Sequence, residues 1–417
     1  MRPCLLLLTT AFIPAACGAD TSPAPAGPEV VVETIGDTTV VRTLSGSVWG
    51  AEATLVPEIS VGEVDGPEEY LFGSISSIAV DDDHNVYVLD GQAQHVRVFD
   101  SAGGYVETLG GRGEGPGEFG YAEAIALLSD SRLLVRDSRS QRISVFGPGR
   151  GQTDQWGFDA GNSGSNHPLH TDVQGRTYLI TRDLSSTDWV MHIIVLGPDG
   201  THLDTLPEPS SPYEPPLVVA EGEVEGGYAT YRNAVPFAPS FQWTVHPSGH
   251  MVTGLPADYR IDLARDDGIL RIERNTDPAA VHADEGARQR DNLERRLQAN
   301  IPGWSWNGPP IPDHKPFFRQ LLAGRDGRIW VRLWTEAHRV ENTDHDPEDP
   351  RSDPVTWEEP LRYDVFEPDG TYLGVVVPPG GFTPYVNPVF DGDHVWGVTR
   401  DALGVERVVR FRIVVGG

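Results

Sequence analysis

The chain has 417 residues and a formal net charge of −29, with 61 acidic against 32 basic side chains; a surface that acidic repels phosphate backbones and argues against a nucleic-acid partner. Frequent glycine (46), proline (35) and tryptophan (10) suit a turn-rich all-β protein, and the length allows two or three average domains or one large repeat fold. The two cysteines, Cys4 and Cys17, lie at the extreme N-terminus, so the body of the chain has no disulfide or thiolate chemistry.

Met1-Arg2-Pro3 forms a short basic start, and Cys4 to Ile13 is apolar apart from two threonines, as in a signal peptide. That run is too short to span a bilayer as a helix. Pro14-Ala15-Ala16-Cys17-Gly18 resembles the bacterial lipoprotein lipobox, in which a small residue precedes a cysteine that is lipidated and becomes the new N-terminus. Pro14 stands where that pattern usually has leucine, which leaves ordinary signal-peptidase cleavage as an alternative. The resemblance implies a signal peptide over 1–17, lipid on Cys17, and export to the bacterial outer membrane, or to the periplasm or medium without the lipid. Residues 18–29, rich in Pro and Ala, read as a flexible tether. Residues 30–53 are expected to hold a hairpin turning at Gly36-Asp37.

From residue 54 to 417 the chain repeats itself. Ile75–Val80, Val86–Leu89, Val96–Phe99 and Tyr105–Leu109 are four short β-rich runs of alternating polarity, separated by turn residues. A second copy follows, with Leu134-Val135-Arg136-Asp137 in the place of Tyr87-Val88-Leu89-Asp90 and Arg142–Phe146 in that of His95–Phe99. Further copies run from Leu169 to Leu206, Phe241 to Arg274, Gln320 to Gly370, and Tyr385 to Val415.

The first two copies resemble NHL-type repeats. The whole is similar to bacterial six-bladed β-propeller lipoproteins. Tyr87-Val88-Leu89-Asp90, Val98-Phe99-Asp100 and Gly113-Glu114-Gly115-Pro116-Gly117-Glu118-Phe119 carry the likeness. The last copy supplies only three strands. Ile59-Ser60-Val61-Gly62 precedes a Gly-Pro-x-Glu-aromatic run that recurs after Leu109, so this segment is expected to complete the last blade beside Val408–Val414.

In a propeller the inner strand of a blade runs from top to bottom and the next three alternate. The insertions Pro207–Ser240, Asn275–Pro316 and Trp334–Pro360 then all fall on the top face, where long loops on a rigid scaffold carry binding. The second insertion is expected to hold a helix capped by Asp277, with Pro278 in its first turn and the stripe Leu293, Leu297, Ile301 packed on the propeller rim. Trp304 and Trp306 offer an aromatic platform for a sugar or peptide, although tryptophans more often pack.

Charged groups near the top ends of second strands are the other site candidates: Asp90, Arg136, Asp137, Arg182 and Asp183, with Arg112 and Glu114 on the crossing loop. Each is individually more apt to satisfy turn backbone or pair with a neighbour. Gly110 to Gly117 lacks the lysine and helix of a phosphate loop, and no HExxH, CxxC, EF-hand or GxSxG pattern occurs. His246 and His250 flank a turn that is expected to aim them apart, and the thirteen histidines read as scattered surface groups. Some six-bladed propellers are calcium-dependent lactonases, which would make Asn85, Asp90, Asp137 and Asn387 the donors to test. The function expected first is a monomeric binding or scaffolding module for a protein, peptide or glycan of the envelope, with no cofactor. The alternative is a metal-dependent hydrolase or lyase with Ca²⁺ at the channel mouth.

Overall fold

The structure is a computed structural model. It describes residues 27–149, 151–158, 168–183, 190–211, 213–343, 345–348 and 352–416. The expected signal segment, Cys17 and the expected tether up to residue 26 lie outside the described residues.

Strands β1 (Glu29–Ile35) and β2 (Thr38–Ser45) form a hairpin. Gly36 makes its turn at φ 64°, a left-handed conformation that glycine adopts without strain. After β3 (Ala53–Val61) come two antiparallel four-stranded meanders. The first comprises β4 (Ile75–Val80), β5 (Val86–Asp90), β6 (His95–Phe99) and β7 (Tyr105–Leu109). The second comprises β8 (Ala122–Leu127), β9 (Leu133–Asp137), β10 (Arg142–Phe146) and β11 (Gln152–Gly157). A third runs through β12 (His170–Thr171), β13 (Thr177–Arg182), β14 (Met191–Leu196) and β15 (His202–Pro207).

The first insertion folds into a hairpin of its own, β16 (Leu217–Val224) and β17 (Gly227–Ala234). The fourth meander is β18 (Gln242–Val245), β19 (Met251–Leu255), β20 (Arg260–Arg265) and β21 (Gly268–Arg274). Its outer strand β21 pairs in parallel with β2, so the N-terminal hairpin widens this sheet. Helix α1 (Ala283–Asn300) follows. Then come β22 (Phe318–Ala323) and β23 (Ile329–Leu333), a small hairpin β24 (His338–Glu341) and β25 (Val355–Glu358), and β26 (Tyr363–Phe366) and β27 (Tyr372–Val377). The last strands are β28 (Phe382–Thr383), β29 (Val389–Asp391), β30 (His394–Arg400) and β31 (Glu406–Val415). Strand β3 lies antiparallel to β31, with Val61 opposite Val408 and Ala53 opposite Val415. It also touches β27 in parallel at Ala53 and Thr54.

Alternation explains how the meanders stack. Tyr87 and Leu89 of β5 join Ile125, Leu133 and Val135 of the next meander in one core. Val86 and Val88, pointing the other way, meet Trp396, Val398 and Val408 of the last one. Leu134 turns away from Leu133 and Val135 to pack with Leu179 and Leu196 of the third meander. Strands buried on both faces by neighbouring sheets in this way make a β-propeller, and each such side chain contributes roughly 1.5–3 kcal/mol of apolar burial.

Part of the acidic composition is structural. Asp81 Oδ1 accepts the amides of Asp83 and Asn85. Asp100, Asp172 and Asp401 hold turns through the same spacing, accepting amides two and four residues ahead.

The helix begins later than expected. Residues 279–281 are extended and pair with 313–315, through Val281 N to Asp313 O, Lys315 N to Ala279 O, and the bridge of Ala280 with His314. Asp277 and Pro278 therefore precede an extended stretch, and His282 occupies the cap position without a side-chain hydrogen bond. Leu293, Leu297 and Ile301 are buried, but against Val218, Ala220 and Val235 around the β16–β17 hairpin rather than on the rim. The first two insertions thus build one small core. The histidines also differ from expectation: His246 is buried, and it and His250 both reach the Ser248 hydroxyl, at 2.7 and 2.9 Å. The turn amide of Ser248 bonds back to His246 Nδ1, which draws both rings to the same side.

Candidate functional site at the top of the central channel

The first strands of the meanders surround an open cavity of about 670 Å³. Ser74–Ile78, Tyr121–Ile125, Leu169 and His170, Thr244 and Val245, Leu322 and Ala323, and Tyr385–Val389 line it. Short polar side chains such as Ser76 leave the channel wide. A second cavity of about 340 Å³ lies at the opposite end, bounded by Asp81, Asp82, Asp172, Arg325 and Asp391.

Besides two tyrosines, Tyr121 and Tyr385, the upper cavity is bordered by Glu123, His170, Arg400 and Glu406. Glu406 is committed to structure, accepting the amide of Ile75 at 2.7 Å and Arg400 Nη2 at 2.5 Å. Glu123 meets Arg136 Nη2 at 2.9 Å, with side chains 6% and 2% exposed. Burial raises the Glu123 pKa against the pull of Arg136, and burial likewise lowers that of Arg136. Both shifts favour the neutral forms, as expected where a pair is taken out of water. Asn387 accepts a hydrogen bond from Gln320 Nε2 at 3.0 Å. Tyr385, between Pro384 and Pro388, is 95% exposed at the mouth. The two prolines remove amide donors, and the first strand of the last meander is divided into β28 and β29.

The residues singled out from sequence take varied places. Asp90 is buried, and its carboxylate accepts the amides of Gly73, Ser74, Gln92 and Ala93. Asp137 repeats this with Gly120, Tyr121 and Ser140. Burial alone would raise the Asp137 pKa, but these hydrogen bonds outweigh it and hold the carboxyl below its usual range. Both aspartates therefore staple the entry to an inner strand and present no free oxygen array to a ligand. Arg136 is the exception that reaches the site, through Glu123.

Arg112 is exposed and donates to Gln92 O at 2.7 Å, beside the mouth. Glu114 is exposed on the same crossing loop, where its carbonyl receives Arg142. Arg182 ends β13, and Asp183 follows with its amide on Val190 O. Trp304 and Trp306 face inward. Their indole N–H groups donate to Val219 O and to Gly308 O, both at 2.8 Å, and their rings pack on the small core of the insertions. Those hydrogen bonds and that packing hold the indoles in place of an open platform.

The donor set does not fit a calcium ion. Asn85 sits at the lower end of the channel, bonded to Asp81, while Asp90 and Asp137 are occupied by amides near the upper end. Among the described residues, no three His, Cys, Asp or Glu side chains are placed to hold a metal. Sequence reasoning missed Glu123 because, within the alternating run Ala122–Leu127, nothing marks it until Arg136 is seen beside it.

These features define a β-propeller with a wide, mixed-polarity channel mouth. Residues 60–151 match the family model DUF5128, described as a 6-bladed beta-propeller. Among solved structures, the chain is similar to a DUF4221 family member from Bacteroides vulgatus, at 12% identity and TM-score 0.44, covering 88% of this chain and 99% of that one. It is also similar to virginiamycin B lyase from Staphylococcus aureus, at 10% identity and TM-score 0.42, covering 85% and 98%. A gluconolactonase from Xanthomonas campestris shows 11% identity and TM-score 0.40, covering 85% and 98%. No curated protein matches the sequence. Among the described residues, no helix is long and apolar enough to cross a membrane.

Proposed function

We propose that this chain is an exported six-bladed propeller, closed by β3, that binds an envelope peptide, glycan or protein at the upper mouth of its channel. The observation that carries the reading is the cavity itself, which draws lining residues from the first strand or its flank in every meander. Supporting closure, β3 adds the fourth strand to the meander of β28/β29, β30 and β31. The metal-dependent hydrolase alternative needs several oxygen donors converging on one point, and the acids and amides available for it are dispersed.

The test uses soluble protein spanning 27–417 and a panel of envelope-derived peptides and oligosaccharides. A ligand should raise the melting temperature. Its affinity should fall by about tenfold or more in Ser76→Trp, which fills the channel, and in Tyr385→Ala at the rim. A ligand that binds both variants as tightly as the parent, or a panel with no binder, would count against the mouth as a site.

The envelope anchor is proposed on the lipobox alone. In a bacterial host, a palmitate analogue should label the full chain, and Cys17→Ser should abolish the label. Label that persists in Cys17→Ser, or is absent from both, ends the anchor.

A further inference from the structure

The open cavity at the upper mouth carries two large rings that the fold does not bury. Tyr385 is 95% exposed and Tyr121 53%, and both line the cavity. The Tyr121 backbone is fixed nonetheless. Its amide donates to Asp137 Oδ1 at 2.9 Å, and its carbonyl accepts the Ser138 amide at 3.2 Å. Pro384, directly before Tyr385, has its φ locked by its own ring. The fold does not require a ring at either place. In the first meander the position of Tyr121 is taken by Ser74, whose amide meets Asp90 Oδ1 as the Tyr121 amide meets Asp137. A small residue therefore serves that turn equally well, and the Tyr121 ring is left for something outside the chain.

Around these rings the lining is polar, and its charges are already paired, Glu406 with Arg400 and Glu123 with Arg136. An anionic ligand would find both arginines taken and would meet a net charge of −29. A cationic one would have to share a carboxylate with an arginine. Neutral groups are more open. Ser77 Oγ accepts the Ile125 amide at 3.2 Å, which leaves its proton to donate. Asn387 Oδ1 accepts from Gln320, which leaves its own amide protons. A carboxylate has about four acceptor sites, so Glu123 can accept from a ligand while it holds Arg136. Exposed rings beside such donors and acceptors suit a molecule with apolar faces and hydroxyls that both donate and accept. We infer that the mouth takes the end of an uncharged oligosaccharide, with sugar faces against Tyr121 and Tyr385 and hydroxyls on Ser77, Asn387 and Glu123. The cavity, about 670 Å³, falls within the roughly 300–1,000 Å³ of small-ligand pockets, a size for a few sugar units and not for a folded partner.

The inference rests on the mouth being a binding site, but the two fail separately. The probes are cellotriose, maltotriose and chitotriose, three neutral trisaccharides, read by saturation transfer from the 27–417 protein. Trigalacturonate is the charged comparator and N-acetyltrialanine amide the peptide one. At least one neutral trisaccharide should bind on the order of millimolar or tighter, with transfer strongest to its ring C–H protons, and trigalacturonate should not. Tyr385→Ala should weaken that sugar about tenfold and Tyr121→Ala about fivefold. Tyr385→Phe and Tyr121→Phe keep the rings and should bind within about twofold of the parent. Both rings are exposed, so the four variants should melt with the parent, which separates lost binding from lost fold. Failure of all three trisaccharides to bind, tighter binding of trigalacturonate or of the peptide, or a sugar that binds both alanine variants like the parent overturns the inference. A peptide that binds in place of the sugars and is lost in Ser76→Trp overturns the sugar and keeps the mouth. Sugar binding that needs both rings but survives Ser76→Trp supports the sugar and counts against the channel.

Discussion

Deletion of residues 54–62 is expected to abolish cooperative folding. Strand β3 buries Ala53, Leu55 and Val61 and covers Val409 and Phe411 of β31. Its backbone pairs along the length of β31 and clips β27 at its start. Glu58 adds ion pairs to Arg412 at 2.6 Å, Arg410 at 3.2 Å and, when protonated, His394 at 3.3 Å. Leu55 and Val61 at roughly 1.5–3 kcal/mol each amount to about 3–6 kcal/mol, to which the uncovering of their partners adds. That is comparable with the whole stability of a typical domain, about 5–15 kcal/mol. The loss should show as a missing or much lowered thermal transition by circular dichroism. Leu55→Ala is the milder form, expected to cost about 2–5 kcal/mol in urea unfolding. A deletion that melts like the parent would show that the ring does not close through β3.

How much of this was legible follows from the residues. The first two meanders could be read because Tyr87–Asp90 and Leu134–Asp137 repeat a strand, its exit turn and its spacing. Later copies fade for physical reasons. Strand β12 is only two residues long, and β28 and β29 are parted by prolines. The insertion hairpin was missed, although Gly226-Gly227 between two alternating runs is a turn signal of the usual kind. The helix start was misplaced because Asp277-Pro278 imitates a cap, while the pairing of 279–281 with 313–315 depends on contacts that sequence spacing does not display. Asp90 and Asp137 stood out as charges at strand ends, and their long-range amide partners, Gly73 and Ser74 for one and Gly120 and Tyr121 for the other, lie in the preceding loop, 16 and 17 residues away. Charge type and strand position were visible; what satisfies the charge was not.

Lys315→Met is the other substitution expected to have a large effect. Its ammonium joins three pieces of the chain. Glu285 belongs to the first turn of α1, Thr335 offers its carbonyl at 3.0 Å, and Glu359 closes the third insertion. Phe237 and Trp334 present ring faces 5.2 and 5.8 Å from Nζ, so residues from all three top-face insertions converge there. Methionine matches the stem but leaves Glu285 buried and Glu359 half-buried without their shared cation. Breaking such a buried pair costs about 3–5 kcal/mol. Urea unfolding should show that loss, and an unchanged midpoint would reject the role. The composition provides a second measurement. Lys315 is the chain's one side-chain amine, so acylation by an amine-specific reagent reports how often the insertions open. In the parent, side-chain labelling should be slow, because the ammonium is fully buried. Glu285→Gln should speed it, since a neutral amide holds the lysine less firmly than a carboxylate, and opening of the insertions would then precede global unfolding. Labelling as fast in the folded parent as in urea would mean that the insertions do not close over the top of the propeller at all.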